Sequence, residues 1–181
     1  MIKKILIAAA VLVILVVAAV IILVMAVSGD YRVEREVTIN KPKAEVFAYI
    51  KQLKNQNEWG PWHKRDPAMK TEFRGTDGTV GFVSAWTSEK PDVGSGEQEI
   101  KKIAENERFD TEIRFMEPFP SKSDAWITTE TVGDNQTKLK WGFTGNMPRP
   151  ANLMLLVMDM DKAVGPDFEE GLSSLKAKLE K

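Results

Sequence analysis

Between Met69 and Gly145 the chain breaks into six short segments, MKTEFR, VGFVSAWTS, SGEQEIKKI, RFDTEIRFM, DAWITTETV and TKLKWGFTG. Turn-forming residues separate them at Gly75 to Gly78, Pro91 to Gly94, Glu105 to Glu107, Pro118 to Ser121 and Gly133 to Asn135. Glycine, proline and asparagine at such short intervals end a strand and reverse it, so the pattern predicts six strands in an antiparallel meander. Two of the strands alternate cleanly. Phe109, Thr111, Ile113 and Phe115 fall on one face and Asp110, Glu112 and Arg114 on the other, while Leu139, Trp141 and Phe143 oppose Lys138, Lys140 and Gly142. One face of the sheet is therefore apolar and has to be covered.

The flanking sequence supplies one more strand and the cover. In YRVEREVTI, Tyr31, Val33, Arg35, Val37 and Ile39 alternate with their neighbours at the period of a half-buried strand. Asn40 is placed to cap a helix with Pro42 in its first turn, whose Val46, Phe47, Ile50 and Leu53 share a face. A short second helix is expected over Lys54 to Trp59, ended by Gly60-Pro61. At the C-terminus Asn152 to Met160 is rich in Leu and Met and reads as helical. GPDFEEGLSSLKAKLEK then sets Phe168, Leu172, Leu175 and Leu179 on one side of a helix, with Pro166 near its start or at a kink. Only this last helix is long and apolar enough to cover the sheet. The fold class expected is α+β, a curved seven-stranded antiparallel sheet wrapped around a long C-terminal helix.

A different constraint stands at the N-terminus. Ile5 to Val27 contains no charged or polar side chain, and at about 1.5 Å per residue it reaches roughly 34 Å, more than the ~30 Å of a hydrocarbon core. It is read as an uncleaved transmembrane anchor. A secretory signal has a shorter apolar core, although Ala26-Val27-Ser28-Gly29 weakly imitates a cleavage site. The domains expected are thus an anchor over residues 1–28 and a second domain over 29–181. Lys3 and Lys4 precede the span, which favours a single-pass protein with its folded domain on the periplasmic or extracytoplasmic side, although Arg32 and Arg35 weaken the asymmetry.

Charge and composition exclude several functions. The chain of 181 residues carries 25 basic and 26 acidic residues, and setting aside Lys3 and Lys4 leaves 23 against 26. That balance offers no basic face for nucleic acid. Cysteine is absent, which removes disulfides, thiolate catalysis and iron-sulfur chemistry. One histidine and scattered acids make a dedicated metal site unexpected, and Asp159 and Asp161 in MDMDK point apart if helical. GSGE at Gly94 to Glu97 lacks the following helix that a phosphate loop needs, and there is no GxSxG motif. No metal and no cofactor is expected.

Several stretches together carry a family likeness: VTINKPKAEVFAYI, NEWGPWHKRDPAM, the strand ending in AWTS, the EPF turn at Glu117 to Phe119, TKLKWGFTG, and the tail MDMDKAVGPDFEEGLSSLKAKLE. Over roughly Tyr31 to Lys181 the chain resembles the START-like, or SRPBCC, superfamily and its polyketide cyclase/dehydrase-like branch. The resemblance implies the helix-grip fold, with a hydrophobic cavity between the sheet and the last helix. It supplies no catalytic residue that can be matched position by position, since the superfamily spans cyclases, lipid carriers and receptors.

Two sets of residues are candidates for function. In NEWGPWHKRDP, His63 could serve as a general base oriented by Asp66 or Glu58. The competing reading packs Trp59 and Trp62 beneath a corner and leaves His63, Lys64, Arg65 and Asp66 in water. Tyr49 and Asp124 are further acid-base candidates. The second set is aromatic and apolar. Trp62, Phe82, Trp86, Ile113, Phe115, Trp126, Trp141, Phe143 and Met160, with Ser84 and Thr128 as polar members, are expected to line a ligand site. Phe109, Thr111, Met154 and Met158 are assigned to the same interior.

Three functions compete on these grounds: a membrane-tethered module binding a lipid-like or polycyclic molecule, a cyclase or dehydratase acting on such a molecule, and an envelope interaction or stress protein with an incidental cavity. Of these, the sequence favours the first, with the hydrophobic small molecule and the membrane as its partners and no nucleic acid.

Overall fold

A computed structural model describes residues 1–181. The elements run α1 (Ile2–Ala26), β1 (Asp30–Ile39), α2 (Lys43–Ile50), a 3-10 turn (Leu53–Asn55), α3 (Gln56–Trp59), α4 (Pro61–Arg65), β2 (Lys70–Arg74), β3 (Val83–Thr87), β4 (Ser95–Ala104), β5 (Arg108–Glu117), β6 (Ser121–Gly133), β7 (Gln136–Asn146), a second 3-10 segment (Ala151–Leu156) and α5 (Met160–Leu179). Two compact units result. One joins Tyr31–Gly145 to Met160–Lys181, and the other joins Met1–Asp30 to Asn146–Asp159.

In the larger unit the seven strands form one curved sheet in the order β1-β7-β6-β5-β4-β3-β2. Every expected strand is present, and consecutive strands from β2 to β7 pair antiparallel, as their short turns require. Register decides which side chains face inward. Phe109 pairs with Ile127 and Thr111 with Ala125, and these in turn oppose Trp141 and Phe143, so the inner row is continuous across β5, β6 and β7.

Helix α2 covers one end of that row with Val46, Phe47 and Ile50, all buried. Its N-cap is Pro42 rather than Asn40, whose side-chain oxygen accepts a 2.8 Å hydrogen bond from Gln136 Nε2 instead. The expected second helix, formed by the 3-10 turn and α3, ends at Gly60 as expected, and a further short helix that was not expected follows it. Gly60 ends α3, and Pro61, lacking an N–H that the first turn would leave unpaired, begins α4.

Helix α5 lies in the grip of the sheet through buried Phe168, Leu172 and Leu175, and Gly171 admits the Trp141 ring, which an added Cβ would meet at 2.9 Å. Charged groups hold the other side of this helix. Arg35 of β1 donates to Asp161 at 2.7 Å and to Glu169 at 2.6 Å. These carboxylates stand two helical turns apart with Gly165 between them, where a Cβ would lie 2.0 Å from Arg35 Nη2. Arg65 of α4 pairs with Asp167, and Lys176 donates to the Thr38 carbonyl at 2.6 Å.

The smaller unit contains α1, 25 residues long with no buried residue, long and apolar enough to cross a membrane. The helix expected over Asn152 to Met160 is a 3-10 segment ending at Leu156. Pro148 and Pro150 restrict the residues before them to extended backbone, and Asn152 is committed to hydrogen bonds with the carbonyls of Val24 and Val27. Met154 and Met158, assigned to the interior from sequence, are exposed.

Candidate functional site

Within the larger unit the inner face of the sheet is filled at one end and open at the other. A cavity of roughly 290 Å³ occupies the open end. Its walls come from every layer: Thr71 on β2, Ser84 and Trp86 on β3, Gln98 on β4, Ile113 and Phe115 on β5, and Trp141 and Phe143 on β7. Met160, Val164 and Phe168 of α5 close one side, and Leu53, Trp62 and His63 from the helical crossover close another. This is the concave, mainly apolar form of a small-molecule site, with a few convergent polar groups.

Aromatic contacts set its shape. Trp141 stacks on Phe168 with ring centroids 4.0 Å apart and planes 3° from parallel, and Trp62 meets Trp141 edge-on at 5.8 Å. Tyr31 and Phe143 extend this group with an edge contact at 5.7 Å. Across the cavity Trp86 packs edge-on with Phe115 at 6.0 Å. Trp86 lies over Gly96, its cross-strand partner, where an added Cβ would come within 2.7 Å of the indole. Edge-to-face pairs at these distances favour the observed ring orientations.

The polar members differ in how far they are already engaged. Gln98 Nε2 donates to Thr111 Oγ1 at 3.0 Å, and Asp167 is paired with Arg65. Tyr31 is bonded to Ser123, and burial raises its phenol pKa. His63 is different. Its Nδ1 is buried and has no hydrogen-bond partner, and burial holds its imidazole pKa below the ordinary value, opposed by the nearby Asp66 charge. The ring is neutral near neutrality, and its Nδ1 is enclosed without a partner.

The sequence-predicted residues divide accordingly. Trp62, Ser84, Trp86, Ile113, Phe115, Trp141, Phe143 and Met160 line the cavity, whereas Phe82, Trp126 and Thr128 do not. Phe82 is fully buried in the solid part of the core, stacked on Phe73 at 6.1 Å. Trp126 and Thr128 point the other way, because the inward parity of β6 belongs to Ser123, Ala125, Ile127 and Thr129. Trp126 instead packs against Gly142 on the outer face, beneath the guanidinium of Arg32 at 4.6 Å and that of Arg108 at 5.4 Å.

The expectation that His63, Arg65 and Asp66 face water is also corrected. Asp66 is buried, accepts from Ser88 Oγ and from the Ala68 N–H, and is held below the ordinary carboxylate range chiefly by the Ser88 bond. It staples α4 to the turn after β3 and makes no hydrogen bond to His63. Nor does Glu58 orient the imidazole, since it accepts from Tyr49 Oη at 3.1 Å and pairs with Lys178. Asp124 lies on the outer face of β6. The arrangement thus offers one proton-exchanging group without a carboxylate partner, and no three His, Asp or Glu side chains converge as metal ligands. Sequence reasoning overlooked Thr71, Gln98, Val164 and Phe168 as lining residues. The alternation of β4 could have revealed Gln98, two residues before buried Ile100.

Comparison with known proteins agrees with this geometry. Residues 30–180 match the profile of the family described as "Polyketide cyclase / dehydrase and lipid transport". The chain belongs to this family. No curated protein sequence matches it. Among solved structures, norcoclaurine synthase from Thalictrum flavum, in complex with dopamine and hydroxybenzaldehyde, is similar over 87% of this chain and 91% of its own, with 11% identity and a TM-score of 0.59. A protein from Chromobacterium violaceum is similar over 84% of this chain and 98% of its own, with 14% identity and a TM-score of 0.57. Ara h 8.0201 covers 82% of this chain and 99% of its own, with 22% identity and a TM-score of 0.52. At these identities the likeness shows the shared fold: a family member built as a START-like sheet around its last helix.

Proposed function

We propose that this family member is a membrane-tethered binding module for a lipid-like or polycyclic molecule that carries at least one polar group. The observation that carries the reading is the aromatic-walled cavity, whose exposed walls are mainly apolar with a few polar side chains among them. An apolar ligand body would gain about 25 cal/mol for each Å² removed from water, and Thr71, Ser84 and Gln98 in the lining offer partners to a polar substituent. The family description includes lipid transport, and the similar norcoclaurine synthase holds two aromatic molecules.

Tethering is supported by the smaller unit. Arg149 and the fully buried Asn152 donate to the carbonyls of Val24, Met25 and Val27. Removal of α1 as a signal peptide would leave the buried Asn152 without these acceptors, which supports a retained helix. An anchor raises the local concentration of any membrane-dissolved ligand around the cavity.

The direct test is native mass spectrometry of residues 30–181, followed by extraction of whatever travels with the protein. A discrete added mass identified as a lipid or polycycle, lost in a cavity-filling variant, supports the reading. No bound molecule, together with no thermal shift from any apolar compound added to the delipidated protein, contradicts it. Turnover of a bound compound that stops in His63→Gln would convert the reading to that of an enzyme.

A further inference from the structure

We propose that residues 149–158 form a clasp that caps the membrane helix and lays Met154, Leu156 and Val157 into the lipid interface. The proposal rests on the tethering just described and adds a second, independent membrane contact.

The cap follows from the hydrogen bonds. A helix leaves its last carbonyls without intrahelical donors, and at a membrane surface such groups are costly unless something replaces water. Arg149 Nε donates to the Val24 carbonyl at 2.9 Å and Nη2 to that of Met25 at 3.0 Å. Asn152 Nδ2 donates to Val24 at 2.9 Å and to Val27 at 2.8 Å. The guanidinium also lies at the negative end of the helix dipole, where a cation is favoured. A backbone bond from the Met147 N–H to the Gly29 carbonyl at 2.9 Å ties the two chain segments again. Gly29 is required there, since a Cβ would lie 2.2 Å from the Met147 oxygen.

Beyond the cap the chain is unusually apolar for an exposed loop. ANLMLLVM, from Ala151 to Met158, has no charged side chain, yet Met154 is 50% exposed, Leu156 59% and Val157 90%. Three side chains of this kind side by side are a liability in water and a means of attachment in the headgroup region. The backbone is suited to that location, because Asn152, Leu153, Val157 and Met158 all donate their N–H groups within the segment or to Pro148. Continuity identifies the occupant. The segment shares a compact unit with α1, which is apolar from Ile5 to its end and has no buried residue, so the surface beside it is the bilayer that α1 would cross.

The chain contains no cysteine, which makes single-cysteine labelling direct. Full-length protein is reconstituted into phosphatidylcholine/phosphatidylglycerol vesicles with an environment-sensitive dye at Val157→Cys, at Leu156→Cys, at Val13→Cys within α1, or at Asp134→Cys in the β6-β7 turn. Spin-labelled lipids serve as quenchers. The expected result is blue-shifted emission and strong quenching at positions 13, 156 and 157, and neither at 134. Quenching at 13 but not at 156 or 157 overturns the clasp while leaving the anchor intact. Absence of quenching at 13 removes the anchor reading and the clasp with it. In an Asn152→Ala, Arg149→Met background, the quenching at 157 should be largely lost while that at 13 persists. Retention at both positions would show that the cap does not position the loop.

Discussion

The two ends of the sheet's inner face are built from the same kinds of residue and behave differently. At one end Phe109, Ile100 and Leu139 are buried against Phe47 and Ile50 of α2 and Leu172 and Leu175 of α5. At the other, Ile113, Gln98, Trp141, Phe143 and Phe168, a few residues along the same elements, face open space together with Met160 at the start of α5. Hydrophobicity does not separate the ends. The covering element does: α2 fills the first with large side chains, whereas the crossover over the second is two single-turn helices broken at Gly60-Pro61. Packed rings then hold the gap open, since Trp141 is stacked on Phe168 and met edge-on by Trp62, which leaves little freedom to collapse inward.

This contrast can be broken first by truncation. Phe47→Ala at the filled end should cost about 3–5 kcal/mol, the range for a buried aromatic, while Ile113→Ala at the open end should cost less than about 2 kcal/mol, because space already adjoins it. Chemical denaturation of both variants measures the difference, and equal losses would mean that the two ends are packed alike. Next in size is a filling substitution. Ser84→Phe should weaken binding of an apolar ligand at least about tenfold, or 1.4 kcal/mol, with little loss of stability. Unchanged binding by calorimetry would place the ligand elsewhere.

The smallest effects are pH-dependent. His63 has a lowered folded-state pKa, so the unfolded chain takes up the proton first as pH falls. Its contribution to stability is present above the ordinary value of 6.5 and is lost as pH drops through the folded value. His63→Gln should flatten that part of the stability profile, and a slope unaltered by the substitution would show that the ring is not desolvated. Asp161 is lowered by Arg35, so that tie holds above the ordinary carboxylate value of 3.8 and weakens only as pH falls through a still lower one. Arg35→Met should therefore narrow its stability difference from the parent protein only in strong acid.

Most of the fold was legible because its strands are short, alternating and separated by turn residues, and because one amphipathic helix had to cover them. The cavity was legible only where alternation is unambiguous. Phe115, Trp141 and Phe143 lie on strands whose two faces differ sharply in polarity. On β6 both parities carry apolar residues, and choosing the largest placed Trp126 inside, whereas Ala125 and Ile127 face inward and Trp126 is covered by Arg32 and Arg108. Phe82 has the parity of Ser84 and Trp86 but falls at the filled end, a distinction made by tertiary position rather than pattern. His63 looked solvated beside Lys64 and Arg65, yet on one turn of α4 those neighbours turn toward Glu170 and Asp167 while the imidazole faces the cavity. Met154 and Met158 read as interior because they are apolar, and hydropathy alone does not distinguish a core residue from an exposed one.

Ligand binding confined to one end of the inner face would be visible in methyl and indole NMR recorded while an anilinonaphthalene dye is titrated into residues 30–181. Saturable shifts are expected at Ile113, Met160, Trp86 and Trp141, with Ile100 and Ile127 unmoved. No saturable shift at the first set, or equal shifts at both, would contradict that confinement.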